Sequence, residues 1–440
     1  MGIVIAIVVL IGLPFFFRRY RLEGLVAAYA HGLPVFYLIS DYIKLPLSRE
    51  VTGAFLAVTG GISLMAFLFY RPQDASEGPQ SRFTLAFGLL FVLALSWFIF
   101  HIFERFLTSI IMERVEFFKW AYSLTNWFLA LGLGYFFCLN GLRVQRVLRA
   151  IAVLGIVMCT ITLVFFFTGR GDLTLSYGMR FHATEHLGGG SYSIHAAMAA
   201  GGLLGGYLVA QHRLSARRIV FVIAAMMLFV STSILGGSRS PIVVMVLVVF
   251  FALGTFRFRY IPIALCSMVV ALLIVVFVVA PLLPEGGFKR AMTFESMVDG
   301  VATRLWLVHE SLNILNVSPV WGRTIGLEQV IGMAYSHNFT LQMLVETGLV
   351  GFGLYLSATT IVAIYWFKML VGYQRAYFAI GAPLLIYFLA VWLEAHAHGD
   401  IMNRSLWFCL GAMAAHPPVQ RFSSDDEQLD KDMLCQGQLQ

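Results

Sequence analysis

Arg217 to Phe256 reads RRIVFVIAAMMLFVSTSILGGSRSPIVVMVLVVFFALGTF. Two arginines open it, and no charge interrupts 219–235. The short turn Gly236-Gly-Ser-Arg-Ser-Pro241 follows, and a second uncharged run fills 241–256. A helix needs about 20 apolar residues to cross the hydrocarbon layer of a bilayer. The stretch therefore reads as a helical hairpin in a membrane, with Arg239 set in the turn between two spans.

The same alternation repeats along the 440 residues. Apolar runs occupy approximately 2–17, 22–40, 51–70, 83–100, 120–141, 150–167, 191–210, 219–235, 241–256, 260–281, 340–367, 377–394 and 403–416. The expected fold is an all-α, polytopic membrane bundle of about twelve spans. Pro14 and Pro34 fall in the first two runs, which count as one span or two. Composition agrees: 59% of residues are apolar, 12% are charged, and mean hydropathy is +0.82. Soluble chains carry about 25% charged residues, so a water-soluble enzyme and a nucleic-acid-binding protein are both excluded. Met1–Phe17 lacks a basic start and a small-residue cleavage site, so it reads as a retained span. The five cysteines form no C-x-x-C and read as small packing residues.

Basic residues gather in cytoplasmic loops of membrane proteins. The loops at 18–23, 71–82, 143–149, 211–218, 257–259 and 368–375 hold 15 Lys/Arg against 3 Asp/Glu. The alternate loops at 41–50, 101–119, 168–190, 236–240, 282–335 and 394–404 hold 13 against 14 and are expected to face outward. Residues 101–119 read as an amphipathic helix lying on the membrane. The bundle is expected over 1–416, with a disordered cytoplasmic tail at 417–440. The outward segments 168–190 and 282–335 exceed turn length, as functional loops do, and are expected to build a helical cap.

The most informative chemistry lies in Tyr335-Ser-His-Asn-Phe-Thr-Leu-Gln-Met-Leu-Val-Glu-Thr-Gly-Leu-Val-Gly351. Ser336 is the expected N-cap of the following helix. His337 would then sit in the first turn, where the helix dipole disfavours imidazolium and leaves a neutral base. Asn338, Gln342 and Glu346 recur every four residues and form a polar stripe entering the membrane. An intramembrane carboxylate is costly and is usually functional or paired; mutual hydrogen bonding between helices is the plain alternative.

Arginine placement adds a second element. Arg170, Arg180, Arg239, Arg290, Arg304 and Arg323 all fall in loops assigned outward, where topology does not require them. Arginine suits bidentate phosphate recognition. A headgroup anchor or a salt bridge is the competing reading for each. His182-Ala-Thr-Glu185-His186 matches H-x-x-E-H, yet Gly188-Gly-Gly190 follows directly and no third ligand stands out, so a zinc site is not expected. His396, His398 and Asp400 alternate near a membrane exit, as interfacial polar residues or as a divalent-ion corner. The phosphate-binding loop motifs of ATP-driven pumps are missing.

At these residues the chain resembles the O-antigen ligase/O-antigen polymerase superfamily of bacterial membrane glycosyltransferases, and within it the ligase branch. The resemblance rests on Gly237-Ser-Arg-Ser240, Thr303-Arg-Leu-Trp306 at an expected helix start, Pro319-Val-Trp-Gly322, Ser336-His-Asn-Phe-Thr-Leu-Gln342 and Glu346-Thr-Gly-Leu-Val-Gly351, in order across about 236–352. It implies a GT-C-like bundle with its ligase-like core at about 180–395. It also implies a metal-independent transferase without a cofactor, in the bacterial inner membrane with a periplasmic site. The donor would be a glycan on undecaprenyl diphosphate, and the acceptor a sugar hydroxyl of lipid A–core. Arg180, Arg239 and Arg304 would hold the diphosphate and His337 would be the general base, with Glu185 or Glu310 next in line. Asn338, Gln342 and Glu346 would orient His337 or line the site. A polymerase joining lipid-linked repeat units is the nearest alternative. A transporter of lipid-linked sugars and a peptidase built on H-x-x-E-H are more distant.

Overall fold

The computed structural model describes residues 13–42, 55, 58–61, 129–135, 144–170, 172–174, 180–183, 189–209, 215–238, 240–256, 294–322, 338–371, 375–397 and 403–415. Among the described residues the fold is all-helical apart from one small hairpin. The main elements are α1 (Leu13–His31), α2 (Leu33–Tyr42), α3 (Val144–Phe167), β1 (Asp172–Thr174), β2 (Arg180–His182), α4 (Gly189–Leu203), α5 (Ala216–Leu235), α6 (Ser240–Phe256), α7 (Phe294–Val317), α8 (Phe339–Val371), α9 (Arg375–Ala397) and α10 (Arg404–Ala415). A π-helical segment, Leu204–Val209, continues α4. The helices agree with the apolar runs at 150–167, 191–210, 219–235, 241–256, 340–367, 377–394 and 403–416. The runs at 83–100 and 260–281, the surface helix at 101–119 and the tail at 417–440 lie outside the described residues.

Among the described residues, three helical stretches are long and apolar enough to cross a membrane: Val144–Phe167, Ala216–Leu235 and Phe339–Ser357. The bent pair α1–α2 makes a fourth if it is one span. That pair corrects the expected boundaries. α1 takes in the basic loop at 18–23 as helix on both sides of a kink at Arg21, and α2 turns off it by 81°. The run at 22–40 is therefore broken after His31, where Gly32 and Pro34 interrupt the helix.

α4 is the centre of the bundle and packs on α3, α5, α6 and α9. It can do so because its inner face is small: Ala196, Ala197, Ala199 and Ala200 are all fully buried. Between membrane helices, where lipid is as apolar as leucine, close backbone approach replaces hydrophobic burial as the source of association. Hydroxyls inside the helices donate to carbonyls one turn back, as Thr162 does to Met158 and Thr232 to Leu228, which satisfies these two donors away from water. Large apolar side chains stay exposed on α5 and α6, among them Ile219, Phe221, Val243 and Phe250, as suits a lipid-facing surface.

The helix ends sort into two groups. At one end Ser193 on α4 donates to the Ser233 carbonyl of α5, and Ser405 on α10 donates to the Ala30 carbonyl of α1. There the rings of His31 and His195 also meet, Nδ1 to Nδ1 at 3.3 Å. At the other end Arg149 donates to the Gly206 carbonyl and lies over the Tyr207 ring, and Arg146 sits 3.8 Å from Glu23. The first group borders loops with balanced charge, the second borders loops rich in arginine.

Candidate active site

Among the described residues, Arg180, Arg304 and Asn338 lie on elements that end near the first group of helix ends. α8 begins at Phe339, and its cap is Asn338, whose Oδ1 accepts the Leu341 N–H at 3.0 Å. This corrects the expectation that Ser336 caps the helix. Both residue types cap well, and the one nearer the first apolar turn does so here. His337 immediately precedes the cap in sequence and, with Ser336, lies outside the described residues. The stripe holds together: Gln342 is buried, and its Nε2 donates to Glu346 Oε1 at 2.7 Å.

The first turn of α8 is tied to the last turn of α9. His396 Nδ1 lies 2.7 Å from the Trp392 carbonyl, an acceptor, so Nδ1 carries the ring proton. Nε2 is then an acceptor, and the Thr340 hydroxyl donates to it. The imidazole packs 4.1 Å from the Trp392 ring, centroid to centroid. Phe339 is fully buried among Tyr355, Trp407 and His396. One residue beyond His396, the Ala397 carbonyl accepts from Arg304 Nη2 at 3.3 Å. Arg304 is exposed on α7.

α7 starts at Phe294, so Thr303-Arg-Leu-Trp306 lies inside the helix and not at its start. Leu307, Ser311 and Ile314 form its buried face, with Ile314 clustered on Val345 of α8. Past its end, Pro319-Val-Trp-Gly322 docks against a break in α8. Gly348 there takes φ 64° and ψ −172°, a region essentially restricted to glycine. The break releases two amides, and the Leu349 and Val350 N–H groups donate to the Pro319 and Val320 carbonyls at 2.9 and 3.4 Å. Gly322, at φ 75°, lies against the same backbone. Two motifs that stood apart in the sequence are one backbone clasp.

The other candidates stand as follows. Arg180 opens β2, paired in register with Thr174, so 168–190 contributes a hairpin to this end of the molecule and not a helix. Arg239 lies outside the described residues, and its neighbours Ser238 and Ser240 border the turn between α5 and α6. Arg170 stacks over the Tyr42 ring at 5.0 Å, the posture of an anchor. Glu310 lies 3.7 Å from His309 on α7; Glu185 is outside the described residues. His182 ends a strand, so H-x-x-E-H is not carried on a helix. His398 and Asp400 also lie outside the described residues.

Sequence reasoning read His396 only as an ion ligand or interfacial residue, and passed over Thr340 and Glu394. Glu394 is fully buried, and neither carboxylate oxygen has a hydrogen-bond partner among the described residues. A charged residue written into an apolar run, at the edge of 377–394, was the available signal.

No curated protein sequence matches the chain significantly. A family model described as O-antigen ligase matches residues 224–356. That span takes in most of α5, all of α6 and α7, the clasp, and α8 through its break. Over residues 224–356 the chain is thus similar to the O-antigen ligase family, and its described helices include ones long and apolar enough to cross a membrane.

Proposed function

We propose that the protein is an O-antigen ligase. It transfers a polysaccharide from undecaprenyl diphosphate to a sugar hydroxyl of lipid A–core, at the periplasmic face of the bacterial inner membrane. The observation that carries this reading is the meeting of Arg304 with the last turn of α9, the same turn that holds the first turn of the helix following His337. This supports the reading: Arg304, a cation suited to phosphate, and the first turn of the helix that follows His337 in sequence are tied to one turn of α9.

The chemistry follows from the donor. The acceptor hydroxyl oxygen attacks the anomeric carbon, the bond from that carbon to the phosphate oxygen breaks, and undecaprenyl diphosphate leaves with the electron pair. Arg180, Arg239 and Arg304 hold the diphosphate and stabilise its growing charge without a divalent ion. His337 takes the hydroxyl proton. Asn338 caps the helix behind it, and the Gln342–Glu346 pair keeps the polar stripe satisfied where water is scarce. Val298, Val301, Leu305, Val308 and Leu312 recur at spacings of three and four on α7 and are all exposed. This apolar row suits the lipid chain of the donor.

A lipopolysaccharide gel from a deletion strain tests the function. Loss of a ligase leaves bare core with accumulated lipid-linked polymer. Core carrying a single repeat unit would instead identify a polymerase. Complementation then tests the base: His337→Ala should insert normally and transfer nothing visible, since general-base loss costs about 10²–10⁴ in rate. Near-normal transfer by His337→Gln would move the base elsewhere.

A further inference from the structure

We propose that His396 is a positioning residue for glycan transfer, holding the segment that carries the base at a set distance from the arginine that holds the donor. The inference rests on the ligase reading above. Its geometric basis is a single turn at the end of α9 that serves two other helices. The His396 ring takes the Thr340 hydroxyl of α8, and the Ala397 carbonyl takes the guanidinium of Arg304 on α7. Thr340 is three residues after His337, and Arg304 is a donor-binding candidate. Contacts at sequence separations of 56 and 93 residues thus meet on adjacent residues.

The imidazole is built to be rigid. Its Nδ1–H is committed to the Trp392 carbonyl, which sets the tautomer and leaves Nε2 as an acceptor. The Trp392 indole at 4.1 Å and the buried Phe339 ring restrict its rotation. A metal-corner reading of His396 loses ground for the same reason, since both ring nitrogens are already engaged. Among the described residues, no group of three or more His, Cys, Asp or Glu is placed to hold an ion.

The latch matters because a catalytic group held about 1 Å out of place can lose about 10²-fold in rate. His396→Ala should lower kcat by about 10- to 100-fold while donor KM stays near that of the wild type. The diphosphate is held by arginines that the substitution leaves in place. His396→Gln offers an amide oxygen to the Thr340 hydroxyl and should recover most of the rate. Thr340→Val keeps the side-chain volume, removes the donor and should match His396→Ala. The two losses should not add in the double variant, because both delete one bond.

The experiment uses the full chain in nanodiscs with an undecaprenyl-diphosphate-linked glycan and lipid A–core, reading initial rates against donor concentration. Amide hydrogen exchange over 339–342 is measured on the same samples. Support is a kcat loss shared by His396→Ala and Thr340→Val, rescue by Gln, and faster exchange in the two losing variants alone. Wild-type rates in both variants, additive losses, or a change confined to donor KM would overturn the positioning role and leave the ligase reading intact. A wild-type chain that transfers nothing would overturn both. Should His396→Ala fail to fold, the isosteric Thr340→Val decides alone.

Discussion

The clasp between Pro319–Gly322 and Gly348 makes a quantitative prediction. Gly348→Ala places a Cβ against the Val320 carbonyl oxygen and the Gly322 nitrogen, both of them backbone atoms that cannot swing aside. The conformation at φ 64°, ψ −172° costs a non-glycine residue about 1–3 kcal/mol. Backing the turn away breaks the Leu349–Pro319 and Val350–Val320 hydrogen bonds, each worth about 0.5–1.5 kcal/mol. The combined loss is about 2–6 kcal/mol, and even its lower bound is more than a tenfold shift in equilibrium. Two measurements on purified protein in detergent read it: the thermal midpoint, and hydrogen exchange at the amides of Leu349 and Val350. Gly353→Ala is the internal control, five residues further along the same helix, where an added Cβ meets nothing within 4 Å. There alanine should be neutral or should stabilise by about 0.5–1 kcal/mol. Gly322→Ala should resemble Gly348→Ala, and the double variant should lose less than the two singles combined. Equal stability of Gly348→Ala and Gly353→Ala would refute the clasp.

Further outcomes are expected elsewhere. Arg304→Ala should reduce transfer by about 10- to 100-fold, the scale of one charge-assisted hydrogen bond, and Arg304→Lys should recover little of it because the planar fork is lost; full activity in both would leave Arg304 as an anchor. Glu394→Gln should not lower the thermal midpoint, because the carboxylate has no hydrogen-bond partner among the described residues to lose; a clear drop would show that a cation or donor meets it. Reporters fused after Arg149, Arg218 and Arg375 should read cytoplasmic and those within 290–330 periplasmic; a cytoplasmic reading of the long loop would overturn the placement of the site.

Elements whose cause is local were legible in the sequence. Apolar runs bounded by charge become α3, α5, α6, α9 and α10 because helix is the local solution for such a run in lipid. The Gln342–Glu346 bond followed from four-residue spacing alone. Features decided by distant partners were not legible. The φ of Gly348 is imposed by a turn some 26 residues earlier in the chain, and glycine within an apolar helix does not announce a break. The true start of α7 was obscured because its apolar residues lie on two faces, one buried on α8 and one exposed, which blurs a helical period. His396 had two readings from its neighbours in sequence, and its bond to Thr340, 56 residues away, could not be read from them. For Arg239 and His337, which lie outside the described residues, the expectation stands on the motif alone.

Phe339–Thr347 is, in mechanical terms, a short beam fixed at both ends. One support is the Thr340–His396 bond beside the Asn338 cap, and the other is the glycine clasp at Gly348. A beam held so can neither roll about its axis nor slide along it without breaking a support. Its stiffness falls steeply with length, and this one is barely more than two turns long. Any load applied at its tip is therefore passed into α7 and α9.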